Sequence, residues 1–274
     1  MRTAARILVK NSWICSTGIV NLLSGLSSAH LVCHTRPMST PSANRYKHHR
    51  FPGEIISHGV WLYDRFHLSY RDVQELLFER GINVTYEAIR QGCLKFGRSF
   101  AIQLRRRRPR PGDKWHLDEV FLSVRGERHY LWRAVDQDGH VLDILVQRRR
   151  DRKAAKKFFR KLLQGLRYVP RVIITDKLNS DEAAKREIRP RVEHRQHRYL
   201  NNRAENFHQP TRQRERRMQG FKSPGHAQRF LSAYGPIAQH FRLRRHRLSA
   251  SAYRQNMSHR FERWAEITGT VRDA

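Results

Sequence analysis

Asp118 and Asp176 are the residues through which this chain of 274 amino acids would do chemistry. Asp118 stands inside the apolar stretch 115–124 (WHLDEVFLSV), and Asp176 closes the run Val172-Ile173-Ile174-Thr175. A carboxylate carried by a segment that must be buried is costly unless something neutralises it. A divalent cation does so, because carboxylate oxygens suit Mg2+ and this ion keeps positions open for substrate phosphates. Two such ions about 4 Å apart clamp the attacking and leaving oxygens of an in-line phosphodiester displacement. Either aspartate alone reads better as a strand-end cap or an arginine partner. The pair, in a strongly basic chain, reverses that reading.

A third carboxylate is expected from a following helix. Glu193, Glu205 and Glu215 are the candidates, all within residues 192–218 (VEHRQHRYLNNRAENFHQPTRQRERRM). Glu205 follows Asn201-Asn202, which can start a helix, and would share a face with His208 and Arg212 three and seven residues on. Pro210 would kink or end that helix. Spacing alone leaves the three glutamates open. Glu119 and Asp136 lie near the aspartates and are expected to be structural. Zinc chemistry is not expected. His194 and His197 sit in EHRQH, which is not the H-E-x-x-H of a zinc protease, and Cys15, Cys33 and Cys93 form no C-x-x-C pair.

The partner class follows from charge. Lys and Arg number 55 against 24 Asp and Glu, a formal balance of +31. Such a field attracts polyanions, so DNA or RNA is the expected partner. With 39% apolar and 10% aromatic residues the chain can bury a core, which excludes a mainly disordered protein. It contains no apolar run of about 18 residues, so a membrane span is not expected.

The elements that must position the carboxylates begin after residue 113, where the apolar period becomes two. Residues 115–124, 128–135 (RHYLWRAV) and 141–146 (VLDILV) read as three strands, with a turn at Asp136-Gln137-Asp138-Gly139. Asp151 caps an amphipathic helix whose Ala155, Phe158, Phe159, Leu162 and Leu163 form one stripe, and residues 172–176 give a short buried strand. Hairpin strands, a helix and a further strand predict an α/β sheet of mixed direction. Upstream, from Phe51, the spacing is helical. Ile56, Val60 and Tyr63 share a stripe, Ser69 and Asp72 form a capping box, Gly81 stops the second helix, and Thr85 caps a third. This is a helix-turn-helix candidate, with Arg90, Gln91 and Lys95 offered to DNA; a plain three-helix packing unit is the competing reading. Arg105, Arg106, Arg107 and Arg108, followed by Pro109-Arg110-Pro111-Gly112, read as a solvated linker able to clamp phosphates. Residues 1–50 hold seven Lys or Arg and no acid. They read as a targeting peptide or, preferably, as an upstream extension with Met38 as the true start.

Taken together, WHLDEVFLSVRGERHYLWRAVDQDGHVLD, ITDK, VEHRQHRYLNNRAENFHQPTRQRERRMQGFKS and RFLSAYGPIAQHFR resemble the transposases of insertion-sequence family six. With SYRDVQELLFERGINVTYEAI upstream, the resemblance runs from about Phe51 to about Trp264. It implies a bacterial DDE recombinase: an RNase H-like mixed sheet with flanking helices, preceded by a small all-α helix-turn-helix domain. The implied division is a basic extension at 1–50, helix-turn-helix at 51–104, Arg/Pro linker at 105–112, catalytic domain at 113–250 and a tail at 251–274. Asp118 of W-H-L-D-E, Asp176 of T-D-K and Glu205 of N-N-R-A-E match the three acids, which would hold two Mg2+ (or Mn2+) ions.

The implied activity is end nicking and strand transfer of an insertion sequence, without a covalent enzyme intermediate. The implied partners are double-stranded DNA, as terminal inverted repeats and target, and at least one further copy of the chain, in the bacterial cytoplasm at the nucleoid. Lys177, Arg195, Arg198, Arg203 and Arg212 are expected at phosphates. Ser180-Asp181-Glu182 departs from the family's Ser-Tyr-Gly, and only 28 residues separate Asp176 from Glu205. The competing function is a DNA-binding protein without chemistry, either a regulator or a decayed transposase. An RNA-binding protein ranks third, since no RNP-like aromatic string is present.

Overall fold

The computed structural model describes residues 45–166, 168–175, 192–196 and 208–270, all within one compact unit, Pro41–Ala274. Asp176, Lys177, Arg198, Arg203, Glu205 and the Ser180-Asp181-Glu182 departure lie outside the described residues, as does everything before Arg45.

Three helices come first: α1 (Gly53–Arg65), α2 (Tyr70–Phe78) and α3 (Tyr86–Arg106). Their ends are set by local chemistry. Ser69 Oγ accepts from the Asp72 amide while the Asp72 carboxylate accepts from the Ser69 amide, closing the predicted capping box. Gly81 carries the chain out of α2 at φ +74°, where a Cβ would be strained. Thr85 caps α3 through the Ala88 amide. The helix then runs on through Arg105 and Arg106, two residues into the expected linker, because the first proline comes only at 109.

Strands β1 (Lys114–Val124), β2 (Glu127–Asp136) and β3 (Val141–Gln147) form an antiparallel meander. Helix α4 (Arg152–Leu166), begun by an Asp151 cap on the Ala154 amide, leads to β4 (Val172–Thr175). A fifth strand, β5 (Glu193–Gln196), takes up Glu193, which the sequence offers as a carboxylate on a following helix. It pairs parallel with β4, which pairs parallel with β1. The sheet order is therefore β3-β2-β1-β4-β5, with β2 alone running against the others. This is the expected RNase H-like arrangement.

The last helices are α5 (His208–Arg217), α6 (Pro224–His240) and α7 (Ala250–Thr268). Pro210 neither kinks nor ends α5, because it sits in the first turn, where its missing N–H has no helical partner to lose.

Each face of the sheet is covered. Trp115, Leu117, Trp132 and Ile173 pack under Ala155, Phe158, Phe159 and Leu162 of α4. On the other face Val120, Leu122, Leu131 and Ile144 meet Leu231 and Tyr234 of α6. Burying each of these large side chains contributes about 1.5–3 kcal/mol. The same α6 supplies Ile237 to a third core with Val60, Phe96, Phe100 and Leu104 of α1 and α3, and with Trp264 and Ile267 of α7. Residues expected as a tail beyond 250 thus hold a packed helix. Tyr46, from the expected extension, donates to Thr268 O at 2.7 Å.

Candidate active site

Asp118 sits on β1 two residues past the last described pair with β4. The parallel ladder joins Lys114–His116 of β1 to Val172–Ile174 of β4, whereas the ladder with β2 continues to Val124. Beyond His116, the described partners of this edge include α5 and, at Val124, a bridge to Phe221. There the Asp118 Oδ2 accepts from His208 Nε2 at 2.7 Å, and Oδ1 accepts from the Glu119 amide at 2.9 Å. Its side chain is 13% exposed, enough to be reached from outside.

Arg133 is the Cα partner of Asp118 across β2 and is buried. Its guanidinium donates to Thr211 Oγ1, so α5 grips this pair of strands at two points one turn apart. Burial pulls the Arg133 pKa down to about 10, while Tyr234 and Asp118 oppose the shift; it stays a cation at neutral pH. Burial also holds His208 below the ordinary histidine value; the hydrogen bond to Asp118 works against this, and Arg133 adds to it. A carboxylate only accepts, so neutral His208 carries its proton on Nε2. That leaves the buried Nδ1 without a hydrogen-bond partner among the described residues.

Thr175 ends β4 in the core, with its Oγ1 2.9 Å from His194 Nε2 of β5. Of the candidate glutamates, Glu193 lies in β5 and is held below the usual carboxylate range by its hydrogen bond from Arg195, at 2.6 Å. Glu215 accepts from the Ser123 amide at 3.1 Å, and burial raises its pKa. Glu119 is tied to Arg150 with its carboxylate buried. Asp136, Asp138 and His140 bring three ligand atoms within 4.8 Å of one another. The Asp136 carboxylate is, however, occupied by the amides of Asp138 and His140, at 3.0 and 2.7 Å, as the cap of the β2–β3 turn. It stands three residues from Arg133, about 10 Å along the strand.

The expected phosphate-binding residues divide. Arg90 is locked in a two-pronged pair with Glu87, which also accepts from Gln91, whereas Lys95 lies exposed beside the Phe96 ring. Arg105 turns to Asp143, and Arg108 donates to Val141 O, its pKa lowered to about 10 by burial. These two arginines tie α3 to β3 rather than forming a solvated linker. Arg106 and Arg107 are exposed, Arg107 pairing with Glu266 at 3.3 Å. Arg195 is half-exposed on Glu193, and Arg212 is exposed on α5.

Sequence reasoning missed Arg133, which alternation alone places opposite Asp118 once the Arg125-Gly126 turn fixes the hairpin register. It also missed Arg214. This buried cation lies 4.1 Å from the Tyr63 ring and donates to Leu68 O at 2.7 Å.

Residues 112–244 match the DDE domain family DDE_Tnp_IS240. Over 185 residues, 66% of this chain and 82% of the relative, the sequence is 29% identical to the Staphylococcus aureus transposase for insertion sequence-like element IS431mec. The same figures hold for the Staphylococcus aureus transposase for insertion sequence element IS257 in transposon Tn4003. Among solved structures, the HTLV-2 integrase catalytic core domain in complex with magnesium (trimeric form) aligns at TM-score 0.29 and 14% identity, over 45% of this chain and 97% of that one. A chain of the simian T-cell lymphotropic virus intasome in complex with PP2A regulatory subunit B56 gamma aligns at TM-score 0.31 and 18% identity, over 39% of each chain. The matched domain carries Asp118 and α5, and the likeness extends along most of both relatives: this chain carries a DDE domain and is homologous to these insertion-sequence transposases.

Proposed function

We propose that the protein nicks the ends of an insertion sequence and transfers them to target DNA, with Asp118, Asp176 and Glu205 as its acidic triad. The observation that carries this is the His208–Asp118 hydrogen bond, two residues along β1 from the His116–Ile174 pairing with β4. Asp176 is covalently next to Thr175, so its Cα is about 3.8 Å further along the chain, and the three bonds from Glu205 to His208 span at most about 11 Å. Both tethers favour convergence on Asp118, whereas Glu193 and Glu215 are engaged by Arg195 and the Ser123 amide.

The donor set fits a hard cation. An ionised carboxylate offers about four lone-pair sites, and two of those on Asp118 are taken by the Glu119 amide and His208. Bound there, Mg2+ or Mn2+ would supply charge stabilisation to the attacking and leaving oxygens. The chain's own residues do the rest. His208 fixes the rotamer of Asp118, Arg133 keeps a positive field behind it, and Arg212 stands exposed beside it for a phosphate. Water cleaves the phosphodiester at the element's end and frees a 3′-OH. That hydroxyl then attacks a target phosphodiester, forming one P–O bond as another breaks. Lys95, Arg106, Arg107 and Arg212, with Lys177, Arg198 and Arg203, are the phosphate contacts this reading retains.

A Mg2+-dependent strand-transfer assay on a plasmid bearing the element's terminal repeats tests the proposal. The wild-type chain is expected to join ends. Asp118→Asn, Asp176→Asn and Glu205→Gln should each lower product on the order of a thousand-fold while retaining DNA binding. Equal yield from any of the three removes that residue from the triad. End binding by the wild type without joining would leave a DNA-binding protein alone.

A further inference from the structure

Phe121 is 56% exposed on β1, three residues past Asp118. Two guanidinium groups lie against its ring, Arg128 at 5.2 Å and Arg212 at 5.7 Å from the centroid. It lines an open cleft with Arg125, Arg212, Arg216 and Lys222, where Glu215 is the acid and is held by the Ser123 amide. An exposed aromatic ring ringed by cations has a specific complement. A nucleobase stacks on the ring while its phosphates meet the guanidiniums. Helix α5 carries the arrangement past the site in order, with His208 at Asp118, Arg212 at Phe121 and Glu215 at Ser123.

We propose that Phe121, Arg128 and Arg212 form a stacking platform for an unpaired nucleotide of single-stranded DNA along the strand edge where α5 also meets Asp118. The ligand must be unpaired, because bases inside a duplex have both faces covered by their neighbours. A second copy of this +31 chain or a basic protein partner is repelled by the four cations lining the cleft. Asp118 and Phe121 stand about 10 Å apart along the strand with their side chains on opposite faces of the sheet, and α5, which touches both from the strand edge, is the path between them. The platform rests on the transposase reading for its choice of DNA and adds to it the state of the strand: a frayed or nicked end.

The test uses the full chain carrying Asp118→Asn, so that binding is separated from cutting. The probes are a single-stranded oligonucleotide containing 2-aminopurine, a blunt duplex of the same sequence, the corresponding RNA strand and poly-glutamate. Adding Phe121→Ala is expected to weaken single-strand binding about tenfold at fixed salt, leave the salt slope unchanged and abolish 2-aminopurine quenching. Duplex affinity should stay within about twofold, and Phe121→Trp should restore both single-strand affinity and quenching. Unaltered quenching in the alanine protein overturns the platform, as does an equal loss on duplex or poly-glutamate, which would make the cleft a general anion surface. Tighter stacking of the RNA strand than of DNA overturns the choice of ligand. If the parent binds neither form of DNA, the transposase reading fails with it; if Phe121-dependent stacking persists but the wild type joins no ends, only the chemistry fails.

Discussion

The two halves of β1 are built differently. Residues Lys114–His116 are laddered on both edges, to β2 and to β4, and Trp115 there is fully buried beneath α4. From Leu117 to Val124 the strand keeps its ladder with β2, and among the described residues its other edge meets His208 at Asp118 and Glu215 at the Ser123 amide, both from α5, and bridges Phe221 at Val124. Backbone pairing makes the first half rigid and closed. Side-chain pairing leaves the second half more open, so a carboxylate on one face and an aromatic ring on the other are reached from an otherwise central strand. Exposing polar chemistry without exposing an aggregating edge requires such side-chain partners for the backbone.

The sharpest break in this contrast is Trp115→Ala, expected to cost about 3–5 kcal/mol in denaturant unfolding, against less than about 0.5 for Phe121→Ala on the open half. Next comes the anchor of α5. Arg214 reaches back to α1, where burial raises the Asp64 carboxyl to about 7 and Arg214 partly opposes the shift. A raised carboxyl stabilises the folded chain below its unfolded value of 3.8, and this contribution is lost as pH rises through 7. Asp64→Asn should therefore flatten the fall in stability between about pH 4 and 7, by up to roughly 4 kcal/mol, measured as urea midpoints across that range. His208→Ala is expected to weaken Mg2+ or Mn2+ binding about 10- to 100-fold by calorimetric titration, with a native melting curve. Smallest is Glu215→Ala, about 1 kcal/mol, read as faster hydrogen exchange at the Ser123 amide. Unchanged exchange would mean that α5 does not close this edge.

The closed half was legible in the sequence because its information is local. Period-two alternation, the Asp136–Gly139 turn and the Asp151 cap each act within a few residues, and all three formed as read. So did the caps at Ser69, Gly81 and Thr85. The open half depends on partners distant along the chain. His208 lies 90 positions from Asp118, and Arg214 bonds 146 positions back to Leu68. No periodicity encodes such pairings. Strand β5 escaped notice because its four residues, Glu193-His194-Arg195-Gln196, are polar and gain strand geometry only from a neighbour already in place. The arginine run misled for a related reason: composition reported charge, but Arg105 and Arg108 fold back onto Asp143 and Val141.

Helix α3 has a mechanical corollary. Its 21 residues make a rod about 30 Å long. One end is fastened to α2, where the Tyr86 amide donates to Gln74, and the other to the sheet, where Arg105 meets Asp143. Between them Phe96, Phe100 and Leu104 are bolted into α6 and α7. A push delivered at Thr85 is felt at β3 with little lost to bending, so the spacing between the three leading helices and the sheet behaves as a fixed gauge. Whatever these two ends grasp must adapt its own curvature to that gauge.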